Sequence, residues 1–119
     1  MVRFFRATIN SYNGLIFAVR SEQAIREELV ALILALPAAW LVGATAMRAV
    51  ELVATVVLVL AVELLNTAIE KLADRLTMDH DTKIKHVKDM GSAAVGVTLI
   101  MAGIFWLFAI AERLGVLGH

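Results

Sequence analysis

Four polar side chains, three of them carboxylates, recur at helical spacing in one segment of this sequence, ELLNTAIEKLAD. They are Glu63, Asn66, Glu70 and Asp74. Offsets of three, seven and eleven residues place all four on one face of an α-helix. Carboxylates suit a hard cation such as Mg²⁺, which is usually held by one or two of them together with phosphate oxygens. A carboxylate can also orient or deprotonate a hydroxyl group.

Two other polar clusters have the residue types that phosphoryl transfer needs. One is acidic, with Glu22, Glu27 and Glu28 around Arg26, and the other is Lys88-Asp89, followed by GSAA. A lysine can neutralise charge on a transferring phosphoryl group, and Asp89 is well placed to cap the helix that follows it. The sequence has neither a P-loop nor a GxGxxG motif, so a nucleotide would have to be bound in another way.

The composition indicates that these groups belong to a membrane protein. The 119 residues are 61% hydrophobic, with a mean hydropathy of +0.82, which is too apolar for an ordinary soluble domain. A soluble helical bundle is the alternative, but its helices would need charged outer faces. Cysteine is absent, which excludes a disulfide framework and a cysteine metal site. A net charge of zero gives no sign of a nucleic-acid partner.

Three apolar stretches are long enough to cross a bilayer. They are residues 29–47, which contain Pro37, residues 52–70, interrupted only by Glu63, and residues 90–111. Each approaches the roughly 20 residues that a hydrocarbon core of about 30 Å requires, and proline is tolerated in membrane helices. We therefore expect a single all-α integral membrane domain with three transmembrane helices.

The first 28 residues predict an amphipathic surface helix and the approach to the first span. Apolar side chains recur there at steps of three and four, opposite a basic and polar face, as in helices that lie in the membrane interface. The apolar face is Phe5, Ile9, Tyr12, Ile16 and Val19, and the polar face is Arg3, Arg6, Asn10, Asn13 and Arg20.

The distribution of Lys and Arg predicts the orientation. Residues 1–28 carry four of them and the expected loop 71–89 carries five, whereas the other side has only Arg48 and Arg113. Because cytoplasmic segments carry the excess of positive charge, we expect the N-terminus and residues 71–89 in the cytoplasm and the C-terminus outside.

The segments ELLNTAIEKLADR and KDMGSAAV, in this order, closely resemble the prokaryotic diacylglycerol kinase family, and the likeness runs over nearly the whole chain. The resemblance implies a small lipid kinase of the bacterial inner membrane, a homotrimer with active sites between neighbouring subunits. Such enzymes phosphorylate diacylglycerol with MgATP to give phosphatidic acid. A Gram-positive branch prefers undecaprenol and usually has a KD-x-A-A-G version of the second motif, so KDMGSAAV matches the diacylglycerol branch better.

The resemblance also implies roles for individual residues. Glu63 is similar to the catalytic base for the lipid hydroxyl, and Asn66 to the asparagine that supports it. Glu70 and Glu22 are similar to the ligands of the Mg²⁺ bound with ATP. The resemblance further implies that Arg3, Lys88 and Asp89 bind the nucleotide together with Glu22 and Glu70. It also implies that Glu28, Glu63 and Ser92 bind the lipid substrate.

One departure from the family pattern lies in the surface helix. Family members often have Trp-Lys-Gly where this chain has Tyr12-Asn13-Gly14. The aromatic residue and the glycine are kept, but the positive charge is lost. Contacts to nucleotide or lipid through Asn13 are therefore in doubt.

Simpler interpretations apply to most of these residues when they are taken alone. Glu63 would be a polar contact between helices, and Glu70 and Asp74 would be interfacial charges. The acidic cluster of Glu22, Glu27 and Glu28 would be a solvated helix start, and Ser92, Gly96 and Gly103 would mark a close helix–helix face.

Two other function classes also remain. A small proton-coupled transporter carries an intramembrane glutamate, but usually in four spans and near the midplane. A non-enzymatic membrane adaptor would need neither a set of metal ligands nor the Lys88-Asp89 pair.

Overall fold

The computed structural model describes residues 2–76 and 81–115, and the regular structure in those ranges is entirely α-helical. The helices are α1 (Val2–Ser21), α2 (Gln23–Val42), α3 (Ala46–Leu76) and α4 (Thr82–Arg113). The all-α prediction is therefore confirmed. Their order also matches the expected surface helix followed by three apolar segments.

A single residue, Glu22, separates α1 from α2. Its backbone is extended (φ −125°, ψ 118°), so the helical conformation is interrupted there. The guanidinium of Arg26 donates to the carbonyl oxygens of Val19, at 2.8 Å, and Arg20, at 3.2 Å. These carbonyls belong to the last turn of α1, where no backbone partner is available within the helix. A side chain of α2 thus caps α1 and fixes the corner that holds Glu22.

The predicted span 29–47 is wrong in its extent, because helix α2 ends at Val42 and a turn occupies residues 43–45. A Cβ on Gly43 would lie 2.9 Å from both the carbonyl oxygen of Ala39 and the amide nitrogen of Ala49. The backbone therefore folds back too closely for any residue but glycine. Composition does not reveal this turn, because every residue in it is small and uncharged.

Two helices, α3 and α4, are long and apolar enough to cross a membrane, and among residues 2–76 and 81–115 no other helix satisfies the same criterion. The uncharged part of α2, residues 29–42, is only about 21 Å long at 1.5 Å per residue. Three charged residues occupy the turn before it, namely Arg26, Glu27 and Glu28. The predicted third span in α2 is therefore not confirmed.

The expected cytoplasmic loop 71–89 is mostly helical. Helix α3 continues to Leu76, and α4 already begins at Thr82. Residues 77–80 of the predicted loop lie outside the described residues. The side chain of Asp81 caps α4 by accepting from the backbone amides of Lys83 (2.9 Å) and Ile84 (3.1 Å). The prediction that Asp89 caps the last helix is therefore wrong. Both helices extend beyond their apolar parts, and polarity alone does not separate a helix end from a loop.

Helices α3 and α4 pack as an antiparallel pair over their full length. The indole nitrogen of Trp106 donates to Thr55 Oγ1 at 3.1 Å near the middle. At one end, Arg48 forms a two-point hydrogen bond with Glu112, at 2.9 and 3.1 Å, and its guanidinium lies over the ring of Phe108. Four contacts define the register from one end to the other: Arg48–Glu112, Thr55–Trp106, Asn66–Gly91 and Asp74–Lys88.

The core of the single chain is small. One buried cluster joins α2, α3 and α4, and a second joins the α1–α2 corner to α3. Their members are Ala39, Ala49, Leu52 and Ala109 in the first, and Ala18, Ile25 and Leu60 in the second. Many large apolar side chains, such as Val97, Ile100 and Leu107 on α4, are exposed instead. The second cluster matters for function because it holds Glu22 and Glu28 against the part of α3 that carries Glu63.

Candidate functional site

The fold brings four carboxylates of the predicted site together. Glu22 lies in the corner just before α2, and Glu28 lies in the second turn of α2. Glu63 and Glu70 come from one face of α3. The negative charges of Glu28, Glu70 and Glu22 all act on Glu63. Since like charges repel, such a group needs cations or protons to be stable. The arrangement is therefore suited to binding a cation or a cationic complex.

Glu28 is half-buried at the start of the apolar part of α2. Burial raises the pKa of Glu28 above its ordinary value, and the negative charge of Glu27 raises it further. Glu63 is also half-buried, and the half-buried apolar residues Val62 and Leu64 are its neighbours in α3. Both carboxylates therefore lie where helix surface exposed to water gives way to apolar surface.

Asn66 contacts Glu70 directly. Its amide nitrogen donates to Glu70 Oε1 at 2.9 Å, one helical turn further on. The resemblance implied that Asn66 supports the catalytic base, Glu63, but the hydrogen bond that the structure shows goes to the predicted metal ligand. Asn66 is 7% exposed, whereas Glu70 is exposed, so the contact joins a buried amide to a carboxylate that solvent and ligands can reach.

Glu22 already has a cationic partner. Lys71 Nζ lies 2.8 Å from Glu22 Oε2 and 5.3 Å from the centre of the Phe17 ring. Sequence analysis missed Lys71, because it directly follows Glu70 and so lies on another face of α3. Its role depends on a contact between two helices, for which the local sequence gives no signal.

The two predicted metal ligands do not by themselves complete a metal site. Across residues 2–76 and 81–115, no group of three His, Cys, Asp or Glu side chains is arranged to hold a metal ion. Two carboxylates, Glu22 and Glu70, remain as the predicted pair. This donor set fits Mg²⁺ bound together with a phosphate, because Mg²⁺ usually takes one or two carboxylates and completes its shell with phosphate oxygens and water.

Lys88 and Asp89 lie on α4 and point to different partners. Lys88 forms an ion pair with Asp74 of α3, which attaches it to the end of the polar face. Asp89 instead pairs with Lys85 on its own helix at 2.7 Å, and both side chains are exposed. The structure thus brings Lys88 to the carboxylates of α3 and leaves Asp89 on the outer surface of α4.

The two remaining predicted residues are not in contact with this group. Ser92 is exposed on α4, next to buried Gly91. Arg3 is exposed near the beginning of α1 and lines a shallow pocket made by α1 alone, with Arg6 and Asn10. At 1.5 Å per residue, Arg3 lies about 28 Å along α1 from Glu22. Within one chain, Arg3 is therefore remote from the carboxylates.

A groove of about 640 Å³ lies between α1 and α3, and its lining is mostly apolar. Phe17, Leu64 and Ala68 line it, and Lys71 contributes its charged side chain. Leu64 and Lys71 directly follow Glu63 and Glu70 in the sequence, so the groove runs beside the carboxylate face, rotated by about 100° around α3. Sequence analysis did not predict this groove, which depends on how α1 packs.

Comparison with known proteins agrees with the motifs. The family model described as prokaryotic diacylglycerol kinase matches residues 9–110. A protein named diacylglycerol kinase from Escherichia coli K12 is 38% identical over 113 residues, which are 95% of this chain and 93% of that protein. Proteins of the same name from Pseudomonas aeruginosa and Haemophilus influenzae are 36% and 32% identical, over 87% and 89% of this chain and 85% and 90% of their own lengths. The chain therefore belongs to the prokaryotic diacylglycerol kinase family.

Proposed function

We propose that this protein is a lipid kinase that transfers the γ-phosphoryl group of ATP to the hydroxyl of diacylglycerol and so forms phosphatidic acid. The relatives carry the name diacylglycerol kinase. The observation that carries the proposal is the position of Glu63 and Glu70 on one face of α3. Seven residues separate them by about 10 Å along the helix, which suits a lipid hydroxyl reached from the membrane and a phosphate reached from water.

Glu63 is the base of the proposed reaction. Its carboxylate accepts the proton of the lipid hydroxyl while the hydroxyl oxygen bonds to the γ-phosphorus, and the bond from that phosphorus to the bridging oxygen of ADP breaks. A carboxylate without a nearby cation is a better base than one in an ion pair. Lys71 is paired with Glu22 and Lys88 with Asp74, so neither of these ion pairs involves Glu63.

Glu22 and Glu70 are the residues that would hold Mg²⁺ with the nucleotide. When bound, the ion neutralises charge on the phosphates. The chain's own part is to supply one carboxylate from the α1–α2 corner and one from α3, and to orient the latter through Asn66. Lys88 is placed to contact a phosphate, for which it must exchange its partner Asp74.

The apolar groove beside Glu63 and Glu70 suits the acyl chains of a lipid. Its lining of Phe17, Leu64 and Ala68 offers apolar contact, and burying each methylene of a chain stabilises binding by about 0.8 kcal/mol. A lipid in this groove has its polar end next to the carboxylates. We place this reaction at the cytoplasmic face of the bacterial inner membrane, in keeping with the excess of Lys and Arg at this end of the molecule.

A homotrimer with shared active sites accounts for two features that the single chain leaves open. Arg3 is remote from the carboxylates of its own chain, and α4 exposes a long apolar surface. A neighbouring subunit would cover part of that surface and supply Arg3 to the nucleotide. We assign Asp89 and Ser92 to the same shared site, since both are exposed on α4.

Phosphate transfer by the purified protein in mixed micelles tests the proposal. Diacylglycerol and undecaprenol are offered separately, each with ATP and with or without Mg²⁺. We expect phosphatidic acid only when Mg²⁺ is present. Transfer to undecaprenol alone would keep the mechanism and change the substrate, and no transfer to either lipid by a folded oligomer would overturn the proposal.

A further inference from the structure

Helix α4 approaches the polar face of α3 closely at Gly91. This glycine is buried, and a Cβ added to it would collide with the side-chain oxygen of Asn66 and lie 3.4 Å from Asn66 Cγ. For the other two glycines of α4, Gly96 and Gly103, an added Cβ would have no atom of the described residues within 4 Å, apart from its chain neighbours and the backbone of its own helix. Of the three, only Gly91 is therefore required to lack a side chain by its contacts within the chain.

The Asn66 side chain is held from both sides. Its amide nitrogen donates to Glu70, while its oxygen is buried and has no hydrogen-bond partner among the described residues. The oxygen instead faces the backbone of Gly91. A glycine Cα–H can approach a carbonyl oxygen closely in a weak hydrogen bond, whereas any larger residue would push the amide away.

We propose that Gly91 is a positioning residue for the kinase reaction, because the space that it leaves lets Asn66 hold the carboxylate of Glu70 in one orientation. The inference rests on the proposed function, since it gives that orientation a purpose in binding the nucleotide and its metal ion. Gly91 also lies one turn after Lys88 on the same face of α4. The contact therefore brings the phosphate-binding lysine and the orienting asparagine to the same part of the site.

The variant Gly91→Ala tests this role, with Gly96→Ala as the matched control on the same helix. We expect Gly91→Ala to raise the KM for ATP and the Mg²⁺ concentration at half-maximal rate by about 10- to 100-fold, the usual effect of losing a group that orients a metal ligand. The KM for diacylglycerol should stay unchanged, and Gly96→Ala should resemble the wild type in all three values. Equal effects of the two variants, or a loss in kcat alone, would overturn the proposal.

A double variant shows whether Gly91 acts through Asn66. If it does, adding Gly91→Ala to Asn66→Ala should change nothing further, because the colliding amide is already gone. The same pair keeps the test valid if Gly91→Ala alone does not fold, since the smaller side chain at position 66 should then restore folding. A double variant that is worse than Asn66→Ala, or that remains unfolded, would refute a role through Asn66.

A readout without catalysis separates this inference from the proposed function. The chain contains three asparagines, Asn10, Asn13 and Asn66, so the side-chain amide NMR signals of ¹⁵N-asparagine-labelled protein in micelles can be assigned with Asn66→Ala. Gly91→Ala should shift the Asn66 signals alone, and Gly96→Ala should leave them in place. Unshifted signals in Gly91→Ala would refute the contact. If the signals shift but the wild-type protein has no kinase activity, the contact stands and only the proposed function is refuted.

Discussion

Trp106 of α4 donates its indole N–H to the hydroxyl oxygen of Thr55 of α3, at 3.1 Å. Thr55 in turn donates to the carbonyl oxygen of Leu52, at 2.7 Å. This polar contact lies in the apolar middle of the helix pair, between the ion pair of Arg48 with Glu112 and the contact of Asn66 with Gly91. A slip of α4 along α3 would break all of these contacts together, so the hydrogen bond at Thr55 helps to hold the register of the candidate site.

Replacement of Thr55 by valine should destabilise the helix pair, because the shape is kept while the indole N–H loses its acceptor. Hydrogen bonds between membrane helices contribute about 0.6–2 kcal/mol, and we expect a loss of that size. Unfolding of the purified protein in micelles by a denaturing detergent measures it.

Thr98→Val is the control for this prediction. The Thr98 hydroxyl donates only to carbonyl oxygens of its own helix, at 2.8 and 3.1 Å, so its loss should cost less. If Thr55→Val is as stable as Thr98→Val, the hydrogen bond to Trp106 does not hold the register.

Glu63→Gln should abolish turnover and leave the fold intact. The amide keeps the shape of the side chain but cannot accept the hydroxyl proton, and loss of a general base commonly slows a reaction by about 10²–10⁴-fold. Glu51→Gln is the control on the same helix, because Glu51 pairs with Arg48 at the opposite end. The rate of phosphatidic acid formation decides the matter, and a Glu63→Gln enzyme with near-normal turnover would exclude Glu63 as the base.

The carboxylate face of α3 was predictable from sequence, because helical spacing alone determines which side chains share a face. The all-helical class followed from composition in the same way. The end of α2 was not predictable, since it depends on the close approach of Gly43 to Ala39 and Ala49. The polar helix ends at residues 71–76 and 82–89 were mistaken for a loop, because a helix that continues into water carries the same residue types.

Contacts between helices explain the other gaps in the predicted site. Lys71 could not be assigned from sequence, because its partner Glu22 comes from a different helix. The sequence shows Gly91 only as the first of the small residues GSAA, because its collision partner, Asn66, depends on the register of α3 and α4. Neither relationship leaves a periodic pattern in the sequence.

Lys71→Met should strengthen Mg²⁺ binding. The ammonium group occupies Glu22 at 2.8 Å, so it competes with a metal ion for that carboxylate. Because partly exposed ion pairs contribute about 0.2–1 kcal/mol, we expect the Mg²⁺ concentration at half-maximal rate to fall by roughly 1.4- to 5-fold.

Lys83→Met controls for the general loss of positive charge at this end of the molecule, since Lys83 is exposed in the first turn of α4 and is not one of the proposed site residues. Mg²⁺ titrations of the initial rate compare the two variants. An identical shift in both would show that the effect is long-range electrostatics and that the pairing with Glu22 is not responsible.

Glu28→Gln should stabilise the protein at neutral pH and lose that advantage in acid. Burial raises the pKa of Glu28, and repulsion by Glu27 adds to the shift, so the folded state disfavours the charged carboxylate. A raised pKa in the folded state means that the protonated form contributes its stability below the unfolded pKa, and that this stability is lost as the pH rises through the folded value. The neutral glutamine avoids this loss. The difference in stability between Glu28→Gln and the wild type should therefore grow between the ordinary glutamate pKa and the raised one.

Unfolding midpoints measured across this pH range test the prediction, with Glu51→Gln as the control for a carboxylate in an ion pair. A constant difference between Glu28→Gln and the wild type at all pH values would show that Glu28 does not titrate differently in the two states.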